Sequence, residues 1–445
     1  MKVFNIRFFL AISILFIFSC NVLEHDPQDA IVPDQAFNSE ASVRSAVVGL
    51  YHQLQSDDYY GASVQYASGN YTDISTYAGF NIEYQEAGEG ILPPTNLLVE
   101  KIWLGAYRVI NGANEIIGGV PGVVDNSFTE EERIIIIAEA KCLRALGYLD
   151  LLVHFGEHWD LSSIYGLPLV TQSTNSDYAN VNMLARSSVQ ETYDFILNDL
   201  ESAETGLPDS DNRAVATRAL AQSLLTKTYV HMNDYVSAIT YATQVINNVN
   251  YSLNPSFSDI FQSDLTSESI FELVFSSLDI SNLALWTIIR DEVLPEETLI
   301  ASFVDGDQRR GLIGNVEGKP YERLLKAEDF SNHANPAYIM RIAELYFFRA
   351  EAKHFSGDPD GAIDDLNTVR TRAGLEPYDD SSNFLEKYIN ENRWEFFGEG
   401  KRLYTLTRIN KAGEVLGIED FRRIYPIPAR EFTIDGSQLV QNPGY

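Results

Sequence analysis

Ala221–Ile246 reads AQSLLTKTYVHMNDYVSAITYATQVI, and Ala343–Val369 reads AELYFFRAEAKHFSGDPDGAIDDLNTV. Each stretch places an apolar helix first, then a short polar turn. An Ala-Ile pair follows on the next helix: Ala238 with Ile239, and Ala362 with Ile363. Small residues at that point let two helices pack closely. A repeated helix–turn–helix of this size is the unit of a tetratricopeptide-like array, in which each pair buries its apolar face against the next. The pattern predicts a mostly α chain built from stacked helix pairs.

The flanking sequence extends the pattern. Ser39–Leu54 has Ser and Glu at its start and apolar residues at Val43, Ala46, Val47, Leu50 and Leu54, a helical period. Leu98–Ile117 reads as the next helix and ends at a Gly/Pro turn. Thr129–Phe155 opens with Thr129 and three acids, which suits a helix amino terminus. Ser187–Glu204 and Thr217–Asn248 continue the series, the latter broken at HMND. Ala337–Ala373 and Asn383–Asn410 read as helical. Between them, about 250–335 is mixed and Gly-rich, and it reads as an irregular insert of loops with short strands or helices. Gln55 to about Pro94 reads as a polar, Tyr-rich loop.

The chain has 445 residues, with 63 acids against 32 Lys and Arg and a formal net charge of −31. Nucleic acid or an acidic membrane surface would require a basic face, so the balance argues strongly against both as partners. The two cysteines are Cys20 and Cys142, which rules out a disulfide scaffold and a zinc ribbon. Residues 1–20 read MKVFNIRFFLAISILFIFSC. Lys2 and Arg7 precede an apolar run, Phe8 to Phe18, too short to span a bilayer of roughly 30 Å. Ser19 precedes Cys20. The pattern resembles a bacterial lipoprotein signal, with residues 1–19 cleaved and Cys20 lipidated. Residues 20–38, polar and carrying Pro27 and Pro33, read as a tether. Residues 39–445 then form a single helical domain.

Chemistry-bearing motifs are few. His154-Phe-Gly-Glu-His158 matches H-x-x-E-H, but Gly156 weakens the helix that zinc ligation would need. Glu395, Glu399 and Arg402 fall on one helical face. Carboxylates four apart beside arginines are expected to form an ion-pair network rather than a glycosidase pair. A nucleophile elbow, a P-loop and a dinucleotide fingerprint are all missing from the sequence. The expectation is a binding protein with no enzymatic activity, cofactor or metal.

The Tyr-rich stretch is the most suggestive of binding. It carries Tyr66, Asn70, Tyr71, Asp73 and Tyr77. A flat ring takes the apolar C–H face of a sugar, while amides and carboxylates take its hydroxyls. A loop packed down by its own tyrosines fits the same residues equally well. Trp286 and Arg290, four apart in the insert, form a second candidate.

Four segments together resemble the SusD/RagB family, surface nutrient-binding lipoproteins of Bacteroidetes. They are the signal through Cys20 with ASVRSAVVGLYHQL at 41–54, and AEAKCLRALGYLDLLVHFG at 138–156 followed by YGLPLV at 165–170. The third is YIMRIAELYFFRAEAKHFSGD at 338–358 with AIDDLNTVRTRAGL at 362–375. The fourth is ENRWEFFGEGKRLYTLTR at 391–408 with the ending YPIPAREFTIDGSQLVQNPGY at 425–445. Thr405 departs from the family, where Asp is usual. The resemblance implies four tetratricopeptide-like helix pairs overlaid by an irregular, loop-rich region that forms most of the ligand site. It also implies an outer-membrane lipoprotein facing the exterior, partnered with a SusC-like TonB-dependent transporter and delivering oligosaccharide or, in some members, peptide. The motif residues themselves read as structural. Pro426, Pro428 and Pro443 stiffen a carboxy-terminal strap, and Glu399 and Arg402 tie elements to the scaffold.

Overall fold

Each long helix packs on the one before it. The computed structural model describes residues 37–173 and 184–445, apart from 328, 330 and 333. The expected signal peptide, Cys20 and all but the last residues of the tether lie outside the described residues. Helix α1 (Glu40–Gln55) is followed by two short helices, α2 (Ser63–Asn70) and α3 (Ile82–Gly88), with strand β1 (Ser75–Tyr77) between them. The long helices α4 (Leu97–Gly119), α5 (Glu130–Phe155), α6 (Val189–Gly206), α7 (Arg218–His231) and α8 (Tyr235–Ile246) then run in series. After the insert, which carries the short helix α9 (Glu297–Ser302) and strand β5 (Glu322–Leu324), come α10 (Ile342–Phe355) and α11 (Pro359–Arg372). The pairs α1/α4, α5/α6, α7/α8 and α10/α11 pack internally, and α4 on α5, α6 on α7 and α8 on α10 link them. The result is a mostly α array of four helix pairs.

Local chemistry sets the helix starts. Thr129 accepts from the Glu132 N–H while the Glu132 carboxylate accepts from the Thr129 N–H, and Ser188 with Glu191 repeats the device. In the repeated unit, Asn233 (φ 61°) and Gly357 (φ 86°) hold the left-handed residue of the turn. The next residues, Asp234 and Asp358, cap α8 and α11 by accepting from the N–H groups of Ser237 and Gly361. Ala238 and Ala362, four positions on, are fully buried.

Three expectations need correction. Residues 55–94 are not a loop: α2, β1 and α3 lie there. Ala337–Arg341 is a strand, β6, paired antiparallel with β2 (Ser269–Leu273) and fully buried, because a distant partner satisfies its backbone. The helix expected over 383–410 is broken into α12 (Phe384–Phe396) and α13 (Arg402–Arg408). Gly398 and Gly400, both at φ 75°, turn the chain between them.

The carboxy-terminal strap is held by carbonyl capture. The Asn442 side chain donates to the carbonyls of Phe155 and Tyr425. Arg186 donates to the carbonyls of Phe155, Tyr165 and Gly166 and to the Asn442 side chain. The Tyr425 N–H reaches the His154 carbonyl at 2.6 Å. These bonds close the exposed carbonyls at the end of α5.

Candidate functional site

The insert returns to the Tyr-rich stretch through a short ribbon. Strand β3 (Val293–Pro295) pairs antiparallel with β1, with Tyr77 opposite Val293 and Ser75 opposite Pro295. Just before β3, Leu285–Ile289 forms a single π-helical turn, in which the Arg290 N–H reaches the Leu285 carbonyl at 2.8 Å. Such wide turns re-aim side chains and are common at functional sites. Asp291 follows at φ 58°, a strained position for a non-glycine residue.

The ribbon and turn assemble an aromatic stack from two parts of the chain. Tyr77 stacks on Tyr84 of α3, with centroids 5.1 Å apart and planes at 26°. Tyr84 in turn lies 4.9 Å from Trp286 at 37°. The Arg290 guanidinium lies 4.6 Å over the Trp286 ring. Tyr84 is only 3 % exposed and acts as the spacer, whereas Tyr77 and Trp286 are half-buried and reach solvent. Each such ring pair contributes about 0.5–1.5 kcal/mol beyond area burial.

Hydrogen bonds fix the stack's edge. The Tyr77 hydroxyl donates to Glu292 Oε2 at 2.8 Å and accepts from the Asn81 N–H at 3.2 Å. The Ala78 N–H reaches the Glu292 carbonyl at 2.7 Å. The turn passes so close to the phenol that a Cβ at Gly79 would stand 2.3 Å from the Tyr77 hydroxyl. That turn carries Phe80, 95 % exposed beside the stack. Burial, together with the Glu292 hydrogen bond and the charges of Glu292 and Glu83, pushes the Tyr77 phenol up to about 12, against the lowering effect of the Asn81 N–H. Burial also raises Tyr84, aided by Glu83. Both stay neutral phenols near pH 7.

Of the residues singled out from sequence, Tyr77, Trp286 and Arg290 come together here, although 209 positions separate Tyr77 from Trp286. The other four have different surroundings. Tyr66 is buried beneath the stack, lining a cavity of about 40 Å³ with Leu283 and Thr287. Asn70 is buried and accepts from the Ser75 hydroxyl at 2.8 Å. Tyr71 is buried edge-on to Tyr425 and donates to the Arg422 carbonyl at 2.9 Å. Asp73 takes Arg402 through both oxygens, at 2.8 and 2.9 Å, and Arg393 at 3.0 Å. Tyr84, Glu292 and Phe80 were not singled out from sequence. No spacing rule marks them, because the ribbon that gathers them is non-local.

Asp73, Thr298 and Val415 separate two grooves of about 890 and 450 Å³. The larger lies along α12, α13 and α14 (Ala412–Leu416). It is lined by mixed polar groups such as Asn390, Lys411 and Glu414, and its two rings, the buried Phe384 and the half-buried His354, stack on each other at 4.4 Å and 17°. It therefore lacks the open tyrosine and tryptophan faces that the stack offers.

The two motif candidates for chemistry are occupied otherwise. Helix α5 ends at Phe155. The His154 ring then contacts the Asp150 carbonyl at 2.7 Å, and the His158 ring contacts His231 at 3.0 Å. Glu395 and Glu399 are buried against arginines: Arg341 reaches Glu395 at 2.9 Å and Glu399 at 2.8 Å. Burial opposes ionisation of Glu399, but Arg341, Lys326 and Lys401 outweigh it and hold its carboxyl down at about 2. A group so held is no proton donor at neutral pH.

Comparison with known proteins agrees with this architecture. The family described as "SusD family" matches residues 325–420, and that described as "Starch-binding associating with outer membrane" matches residues 22–230. The chain belongs to the SusD/RagB family. SusD-like protein P25 of Formosa agariphila is 26% identical, covering 100% of both chains, and SusD-like protein P2 of the same organism is 24% identical, also covering 100% of both. Among solved structures, a laminarin-binding SusD-like protein has a TM-score of 0.78 at 22% identity, covering 92% of this chain and 100% of its own. Surface glycan-binding protein A of Bacteroides thetaiotaomicron has a TM-score of 0.76 at 21% identity, covering 92% and 99%. The SusD-like fold is thus shared across the array and the insert. Among the described residues, no helix is long and apolar enough to cross a membrane.

Proposed function

We propose that this chain is a non-enzymatic, cell-surface glycan-binding lipoprotein. It captures oligosaccharide on the Tyr77–Tyr84–Trp286 stack and delivers it to a SusC-like TonB-dependent transporter. The stack is the observation that carries the proposal. Tyr77 and Trp286 reach solvent from a rigid base, and Arg290, Glu292 and Glu83 stand around them as hydrogen-bonding groups. Rings bind the C–H face of a sugar and the rim groups bind its hydroxyls. Support also comes from the two neighbours described as binding laminarin and surface glycan, and from the family description that names starch and the outer membrane. Family membership supports the delivery step, the lipid anchor at Cys20 and the exterior location.

The test is calorimetric titration of the purified full-length chain with a panel of oligosaccharides and peptides. The expected result is binding to at least one oligosaccharide, weakened in Trp286→Ala. Binding to peptides alone would replace this function with peptide capture. Turnover of any panel member would contradict it.

A further inference from the structure

The charges around the stack do not balance in favour of an anionic ligand. Among the described residues the bases are Arg290, Lys319 and Arg323, together with Lys101, which acts on Asp57 and stands 4.0 Å from Asp58. Lys319 and Arg323 are both committed to Asp291, at 3.1 and 2.8 Å. Lys319 also donates to the Ile289 carbonyl at 3.2 Å. Arg290 stands 3.7 Å from Glu292, and its guanidinium carbon lies 4.6 Å over the Trp286 ring, which occupies one side of the group. The acids are Asp57, Glu83, Asp291 and Glu292. Asp57 accepts from the Asn282 side chain, and neither Asp57 nor Glu83 has an ion-pair partner among the described residues. Carboxylates therefore outnumber available cations at the rim. The field felt by the rings has the same sign: Glu83, Asp57 and Glu292 all act on the Tyr84 phenol to disfavour a second negative charge.

An anionic glycan needs the opposite arrangement. Uronate and sulfate groups are held by free guanidinium forks or lysines, and a single arginine supplies one fork at most. Such a chain would bring its charges toward Glu83, Glu292 and Asp57 within a Debye length of roughly 8–10 Å. The whole protein, at net −31, repels it from further away. An uncharged sugar meets none of this. Its hydroxyls donate to the unpaired carboxylates and accept from the Arg290 guanidinium, while its C–H face covers a ring.

We propose that the Tyr77–Tyr84–Trp286 stack selects uncharged glycans and rejects polyanionic ones. The selectivity comes from Glu83, Asp57 and Glu292 at the rim, with Arg290 as the cation that stands over the stack among the described residues. This deepens, and rests on, the assignment of the stack as a glycan site.

The experiment titrates the purified full-length chain with uncharged polysaccharides (β-1,3-glucan, starch, xylan, mannan) and with polyanionic ones (alginate, polygalacturonate, carrageenan). Measurements run from about 50 to about 500 mM NaCl, a range over which the Debye length shrinks several-fold. Binding is expected only in the uncharged group, with affinity changing less than about twofold across the salt series. Glu83→Lys is expected to raise the ratio of anionic to uncharged affinity by about fivefold or more at low salt, and Glu83→Gln by less. An anionic glycan bound as tightly as any uncharged one, with affinity falling steeply in salt, overturns the selectivity while leaving glycan binding intact. Silence in both groups overturns the glycan assignment itself. An unchanged ratio in Glu83→Lys removes Glu83 from the account.

Discussion

Two regions of this molecule use arginine and carboxylate side chains to opposite ends. In the carboxy-terminal half, Arg309 and Arg341 are fully buried with their partners. Arg309 holds Asp307 and Glu391, each at 2.8 Å. Arg341 holds Glu268, Glu395 and Glu399 at 2.6–2.9 Å, and Arg372 adds a second contact to Glu268 and Glu395. These pairs tie strand β6 and the turn preceding β4 (Ile313–Asn315) to helices α11 and α12. At the aromatic stack, by contrast, Arg290 is 45% exposed, and its nearest carboxylate is too far for a hydrogen bond. Glu83 has no ionic partner there at all among the described residues. Where charges are saturated and dry, they fix geometry. Where ring faces are open and charges loosely matched, a ligand has something to bind.

Substitutions can break that contrast. The largest expected effect is in the buried network. Arg341→Ala leaves three carboxylates without their central cation and is expected to cost about 3–5 kcal/mol or prevent folding; urea denaturation measures it. An affinity loss at unchanged stability there would erase the distinction between the regions. Tyr71→Ala belongs to the same class, because the ring is buried against Tyr425: a loss of about 3–5 kcal/mol in stability is expected, by analogy with other large aromatic deletions. Ligand affinity of the folded fraction should not change. Trp286→Ala is the converse. An affinity loss of about 1–3 kcal/mol is expected, roughly 5- to 150-fold, with a stability loss smaller than that of Arg341→Ala, because the ring is only half-buried. Tyr77→Phe is the smallest, removing one hydroxyl that bonds Glu292 and costing about 0.5–1.5 kcal/mol in affinity or local order.

Acid should expose the network as well. The Glu399 carboxyl is held at about 2 in the folded protein against an ordinary 4.5. Its contribution is therefore fully present above about 4.5 and is lost as pH falls toward about 2. Glu399→Gln should flatten that part of the stability–pH curve, read by urea midpoints at a series of pH values.

The sequence revealed the array more fully than the site. Helix starts are local: Thr129 with Glu132, and Ser188 with Glu191, carry their own hydrogen-bond partners within four residues. The Asn233-Asp234 and Gly357-Asp358 turns likewise announce themselves. Strand β6 did not, because Ala337–Arg341 is apolar enough for either state and only its pairing with β2 decides. The ion-pair character expected at Glu395 and Glu399 holds. Arg402 instead turns away to Asp73, since Gly398 and Gly400 break the helix that would have aligned all three. For the site, Tyr77, Trp286 and Arg290 stood out by residue type alone. Their meeting depends on β1 pairing with β3 across more than 200 residues, and no local signal encodes that.

The most direct test is a crystal structure of the protein soaked with an oligosaccharide that it binds in titration. A sugar ring packed against Tyr77 or Trp286, with hydroxyls near Arg290, Glu292 or Glu83, is the predicted result. A sugar seated instead in the groove along α12–α14, with the stack left bare, would contradict the assignment of the stack as the glycan-binding surface.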